Sequence, residues 1–420
     1  MTLLQAPTYA DNVATSSAPG SGRLRLFVIW VLIVTSLVPW RVGEYFSGGV
    51  DPVVLSKGML SIAALVLAGY AARRGELRPV GVRSLCLIGS YIAVTTIGGW
   101  AAGSLLSSLL LSVRVLIVAA TVLLALMAHP VAGVVRAMCA AMATVGLVSA
   151  AAGAGTLPSG RLSGGIFPLN PNELAVLLGP AAIGLTWRLT RSRAHRYDLV
   201  LLILLVGLTW LTGSRTGLAA LAVGLIVVVI QARRLPVGGF IGVVALVPVV
   251  GYVLLSTSLV SKYFERGGAA NISSLNSRTI AWRAAFALPT DFWQHWFGAG
   301  LAVKTIGVSG TFWSTQVVDS SWVSAYVQAG VLGLAVLSLW ALVTLVSAFR
   351  APQPWRPLWV ALVVFILIQS VLMSGLIDSH VLFLVMFLVS VASERATSVG
   401  PRSELTAARG LPDGGGHVTR

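Results

Sequence analysis

Charge is what this sequence has least of. Only 10% of its 420 residues are Asp, Glu, Lys or Arg, against about 25% in a soluble domain. That shortage excludes an ordinary water-soluble fold. Acid is scarcer still: 13 acidic residues face 29 basic ones, for a net charge of +16. The excess has a membrane explanation, since cytoplasmic loops collect Lys and Arg, and it gives no reason to invoke nucleic acid. Cysteine is nearly missing too. Cys86 and Cys139 both fall in apolar segments, which argues against a disulfide framework. The chain has no CxxC or HExxH spacing, so no metal site is expected, and no GxxxxGK[ST] loop to hold ATP. No cofactor is expected. The first apolar run ends at Pro39-Trp40 without a small-residue cleavage site, so it reads as a retained helix.

What fills the chain is apolar sequence, 56% hydrophobic with 44 glycines. Small residues suit membrane helices because they let backbones approach closely. Apolar spans fall near 24–42, 53–72, 82–102, 104–128, 130–153, 172–190, 198–213, 215–232, 237–257, 321–348, 357–377 and 380–394. The expected fold is an all-α polytopic membrane protein with about 12 transmembrane helices, each near the 20 residues that a bilayer demands. Residues 1–22 and 395–420 are polar and without periodicity, and are expected to be disordered tails. The transmembrane domain then covers 23–394.

Basic residues set the orientation. With both termini cytoplasmic, 19 of the 29 Lys and Arg fall on the inner side, nine lie outside or at its edge, and Arg114 lies within a span. Every short inner loop is then basic. One large loop, about 258–320, faces outward, and a loop of that length in a compact protein is usually functional. Within it, Arg278 to Leu288 reads as a short helix stopped by Pro289. Its Trp282 and Phe286, four apart, share a face suited to a membrane surface.

Polar groups gather on the same outer side. The stretch from Arg161 to Glu173 ends in Asn170-Pro171-Asn172-Glu173. There Asn170 can cap a helix and Glu173 can close a capping box. Neither role accounts for Arg161 or Asn172. Arg215 sits in the tight turn TGSRTG between two spans, where snorkelling to lipid headgroups competes with facing a polar cavity. Arg114 has the same two readings, with an intramembrane ion pair favoured. Arg278 and Arg283 are five apart, about 140° around a helix, so only one of them can face a given site. Asp319 stands at a helix start, where the dipole favours its charge. Asp378 and His380 form an acid–imidazole pair in the last outer turn. Guanidinium forks match phosphate oxygens, and a carboxylate can take a proton from a hydroxyl.

Four stretches in order carry a resemblance: RLSGGIFPLNPNELA at 161–175, TGSRTGLAAL at 212–221, NSRTIAWRAAF with the following HWFGAGL within 276–301, and DSSWVSAYVQAGVLGL at 319–334. They resemble the O-antigen ligase and O-antigen polymerase superfamily. The family pattern in the last stretch is His, then Asn, Ser or Gln, nine residues, Gly, two residues, Gly. Here the same spacing carries Asp319, Ser320, Gly330 and Gly333, with aspartate in place of histidine. The resemblance implies glycan transfer from a polyprenyl diphosphate carrier to an acceptor, at the outer face of a bacterial cytoplasmic membrane. Donor glycan, acceptor glycan or lipid, and membrane lipids would be the partners. It implies Asp319 as the base, Arg215, Arg278 and Arg161 as diphosphate ligands, and supporting places for Asn172, Arg283 and His380. The aspartate in place of histidine departs from a strict lipopolysaccharide ligase and leaves a polymerase, or a transferase for another cell-wall glycan, more open. A transporter or flippase of a polyprenyl-linked sugar or other amphipathic anion is the alternative.

Overall fold

The computed structural model describes residues 20–41, 51–75, 77–191, 196–232, 280–288, 291–308 and 314–398. The described residues are 78% helical. Its helices are α1 (Gly20–Leu37), α2 (Pro52–Arg74), α3 (Arg83–Ala101), α4 (Leu105–Ala128), α5 (Val131–Ala152), α6 (Pro171–Leu189), α7 (Arg196–Leu211) and α8 (Arg215–Gln231). After these come α9 at 280–287, α10 (Phe292–Phe297), α11 (Ser321–Arg350), α12 (Arg356–Leu372) and α13 (Val381–Ser398). A 3₁₀ turn, Ala154–Ser159, follows α5. Among the described residues, five helices (α2, α3, α4, α5 and α11) are long and apolar enough to cross a membrane. The expected span at 237–257 lies outside the described residues.

Local chemistry sets the helix starts. Asp51 accepts from Val54 N at 2.7 Å and Pro52 opens α2. Asn170 and Glu173 form the anticipated capping box around Pro171 on α6. The Ser214 hydroxyl accepts from Gly217 N at 3.1 Å at the start of α8. Each of these satisfies a backbone N–H that has no partner within its helix.

Burial then sorts the helices. From Leu174 to Trp187 every residue of α6 is buried, among α5, α7, α8 and α12. A helix apolar all round belongs in the middle. On α2, by contrast, Leu55, Met59, Ile62 and Val66 form an exposed stripe at helical spacing. A continuous apolar stripe on the outside fits a protein whose solvent there is lipid.

α11 is broken at Gly330, with φ 63° and ψ −161°, a conformation essentially limited to glycine. The break leaves the carbonyls of Val327 and Gln328 without helical donors. Ala299 N and Gly300 N fill those places, both at 2.9 Å. The chain can come so close because Gly298, at φ 70°, has no side chain: a Cβ there would lie 2.3 Å from Ala329 N. The HWFGAGL segment is therefore a wedge in a gap in α11. Its other side meets Ser104, whose hydroxyl donates to Ala299 O at 2.9 Å.

Several expectations need correction. The chain is not purely helical: Thr305–Gly307 and Thr315–Val317 pair as an antiparallel hairpin, Ile306 opposite Gln316. Its Thr, Ile and Val favour extended backbone. The C-terminal tail does not begin at 395, since α13 runs to Ser398. Glu394, placed at the edge of that tail, is instead buried. Its carboxylate accepts from Arg83 N at 3.1 Å, from Ser84 N at 2.9 Å and from the Ser84 hydroxyl, so it caps α3 from another helix. Trp282 and Phe286 do not both lie on an open face. Trp282 packs on Ala285, Ile306, Val318, Val323 and Val327, while Phe286 is exposed and meets the Tyr326 ring at 5.3 Å.

Candidate functional site

The polar groups that the sequence singles out converge on one end of the bundle, opposite Glu394. The 161–170 loop docks on the turn between α7 and α8. Leu162 N donates to Leu211 O at 2.9 Å and Arg161 Nε donates to Thr212 O at 3.1 Å. Two of the four sequence clusters thus become one surface, with Arg161 exposed beside the turn that carries the exposed Arg215. Glu173 lies at the other end of the same loop and within electrostatic reach of Asp319. The loop connects the arginines to the acid.

Asp319 is half-buried, two residues before α11, and the N-cap position belongs to Ser320. The expectation that Asp319 opens the helix is off by one. Ser320 contributes through its backbone carbonyl, which accepts from Ser324 N at 2.8 Å.

Behind Asp319, α11 ties down the segment 373–380. The Ser321 hydroxyl donates to Met373 O at 2.7 Å and accepts from Leu376 N at 3.2 Å. That segment delivers Asp378, which takes a hydrogen bond and ion pair from Lys304 Nζ at 2.6 Å. Lys304 is held in turn. Its carbonyl accepts from Val318 N at 3.1 Å, and Gln328 Nε2 donates to Val303 O at 3.0 Å. Tyr91, Lys304, Ser321, Gln328 and Asp378 line a cavity of about 10 Å³, room for about one water.

Charge states in this turn follow from its surroundings. Burial alone pushes the Asp378 carboxyl up, but the Lys304 ammonium and the Ser379 N–H bring it below its ordinary value. Burial pushes the His380 imidazole down to about 4; Asp378 opposes this, and Lys57 and Lys304 add to it. His380 is therefore neutral at pH 7. Its Nδ1 accepts from Leu382 N at 3.1 Å, which puts its proton on Nε2. In this state His380 offers a hydrogen-bond donor and caps α13, and it is no proton acceptor at Nδ1.

The remaining site residues fare differently. Asn172 takes part through its backbone, with Asn172 N donating to Asn170 Oδ1 at 2.9 Å. Arg283 is exposed on α9. Arg278 lies outside the described residues. Arg114 is not in an ion pair among the described residues; its Nη2 donates to Ser36 O at 3.4 Å. A cation at the last carbonyls of α1 suits the helix dipole.

Lys57 and Lys304 were not singled out by sequence. Lys57 lies within electrostatic reach of Arg114, Asp378 and Glu173. A signal was present in the composition: the 29 basic residues include only three lysines, at 57, 262 and 304; Lys304 pairs with Asp378 and Lys57 lies within its electrostatic reach. Among the described residues no group of three or more His, Cys, Asp or Glu could hold a metal ion. What the end offers is cations in a low-dielectric rim with a few carboxylates among them, a setting suited to an anionic headgroup. Compared with known proteins, the chain matches no family model and no curated sequence.

Proposed function

We propose that this chain is a membrane glycosyltransferase of about 12 transmembrane helices. It moves or polymerises glycan from a polyprenyl diphosphate carrier onto an acceptor hydroxyl at the outer face of a bacterial cytoplasmic membrane. In this reading both termini and the Glu394 end are cytoplasmic, and the 258–320 loop is outside. The acceptor oxygen attacks the anomeric carbon and forms the new C–O bond. The bond from that carbon to the diphosphate oxygen breaks, and its electron pair leaves with the diphosphate. Asp319 takes the acceptor's proton. Arg215 and Arg161, with Arg278, neutralise the departing diphosphate through bidentate contacts. Arg283, Asn172 and His380 are positioning groups around them.

The observation that carries this reading is the docking of the Arg161 loop on the Arg215 turn, with the loop's far end within electrostatic reach of Asp319. Arginines and a carboxylate from distant parts of the chain share one end. The test is glycan transfer by purified protein in detergent, from a prenyl-diphosphate-linked donor to an added acceptor. Product from wild type and none from Asp319→Asn supports the reading. Equal product from both overturns it.

One observation favours a second reading. The break at Gly330 is the kind of discontinuous helix around which transporters build binding sites. In a sealed vesicle, movement of a lipid-linked sugar across the bilayer without change in its mass would favour transport over transfer.

A further inference from the structure

The carboxylates near Lys57 and Arg114 are already engaged. Asp378 is bonded to Lys304 at 2.6 Å. Glu173 accepts from Asn170 N at 2.9 Å in its capping box. Among the described residues neither Lys57 nor Arg114 has a carboxylate within ion-pair distance. Yet the two cations are close enough to repel one another. Two like charges held together in a half-buried place are costly.

The surroundings place the Lys57 backbone and the Arg114 guanidinium in one polar layer. The Ser61 hydroxyl is 3.0 Å from Lys57 O and 2.9 Å from the Ser36 hydroxyl. Ser36 O in turn accepts from Arg114 Nη2. One polar layer thus joins α1, α2 and α4. Within it Arg114 Nε is buried with no partner. A buried guanidinium N–H without an acceptor forfeits a charged hydrogen bond. Among the described residues the layer therefore lacks an anion with several acceptor oxygens, and a phosphate group has the matching shape and charge.

We propose that Lys57 and Arg114 bind a phosphate group between α1, α2 and α4, at a subsite apart from Arg161 and Arg215. Lys57 shares the buried face of α2 with Ser61, Ala64 and Ala68, opposite the exposed stripe of Leu55, Met59, Ile62 and Val66. The phosphate can arrive free or as the headgroup of a lipid, since both present the same oxygens to the two cations. The inference rests on the charge count and the missing acceptor, and stands whether or not the protein transfers glycan.

The test is protection of Lys57 from an amine-reactive reagent in the full-length protein in detergent, read by mass spectrometry. The probes are farnesyl phosphate, inorganic phosphate and farnesol. Lys304, bonded to Asp378, serves as the internal control. Protection of Lys57 by farnesyl phosphate at concentrations where inorganic phosphate and farnesol do nothing supports a lipid phosphate. Equal protection by inorganic phosphate supports the site with free phosphate as its source. Protection by farnesol equal to that by farnesyl phosphate overturns the proposal, since a chain alone would then cover the lysine. Absence of protection by all three also overturns it. Arg114→Met should raise the farnesyl phosphate concentration needed by about tenfold or more, and Arg114→Lys by less. Unchanged protection in a folded Arg114→Met protein counts against the site.

Discussion

The two ends of this bundle use polar groups in opposite ways. At the Glu394 end one carboxylate collects its donors from the start of α3. Beside it the Ser390 hydroxyl accepts from Trp340 Nε1 at 3.0 Å and from Thr344 Oγ1 at 3.1 Å. Arg83 Nη2 donates to Ser347 Oγ at 2.7 Å. Donors and acceptors are matched, and the network is closed. At the Asp378 end, one ion pair is matched, and among the described residues Lys57 and Arg114 have no carboxylate within ion-pair distance. A closed network fastens helices together. An open one keeps its binding capacity for something else.

That contrast makes the largest predicted effect a loss of activity at the open end without a loss of fold. Arg215→Lys should lower transfer by about a hundredfold or more, because a point charge cannot reproduce the guanidinium fork. The amount of protein in the membrane should not change. Retained transfer in a detergent assay would remove Arg215 from the site.

At the closed end the prediction concerns stability. Glu394→Ala leaves two backbone N–H groups and a hydroxyl without an acceptor, and should cost about 3 to 5 kcal/mol. Glu394→Gln keeps one carbonyl oxygen and should cost less. Thermal unfolding in detergent measures both. A Glu394→Ala protein as stable as wild type would show that the two ends do not differ as argued.

Gly330→Ala comes next. It forces a side chain into a glycine-only conformation, with its Cβ 2.4 Å from the Trp296 carbonyl carbon. We expect a loss of about 2 to 3 kcal/mol and loosening of the 296–301 wedge, visible as faster hydrogen exchange at Ala299 and Gly300. Unchanged exchange would mean that the wedge does not depend on the break.

At neutral pH the smallest effect belongs to His380, whose contribution appears only as a pH dependence at the open end. The His380 imidazole is held at about 4 in the fold, against about 6.5 in an unfolded chain. Above pH 6.5 both states are neutral and His380 contributes nothing to the pH dependence. As pH falls from 6.5 towards 4 the unfolded chain binds a proton that the fold refuses, and stability drops by about 3 kcal/mol. Asp378, held below its ordinary value, adds a further loss only at still lower pH. His380→Asn, which can still cap α13, should flatten the profile between pH 6.5 and 4. An unaltered profile would assign the acid sensitivity to another group.

Much of the framework was legible because its causes are local. The capping box at Asn170 and Glu173 needs only four consecutive residues, and the apolar spans need only their own composition. The Arg161 loop and the Arg215 turn were each legible as polar clusters, but nothing local told that one docks on the other. The gap in α11 was hidden inside an apolar run. Gly330 looks like any membrane glycine until Ala299 and Gly300 are seen supplying its missing hydrogen bonds. The place of Glu394 was misread for a similar reason. Its partners, Arg83 and Ser84, are more than three hundred residues away.

The sequence by itself determined that the chain is helical, apolar and short of charge, and where several of its helices begin. Periodicity, capping and hydropathy act over a few residues and can be read in place. Only the tertiary structure decided which charges meet. Lys57, Lys304 and Asp378 come from widely separated parts of the chain, and an ion pair or an unpaired cation is defined by distance in space.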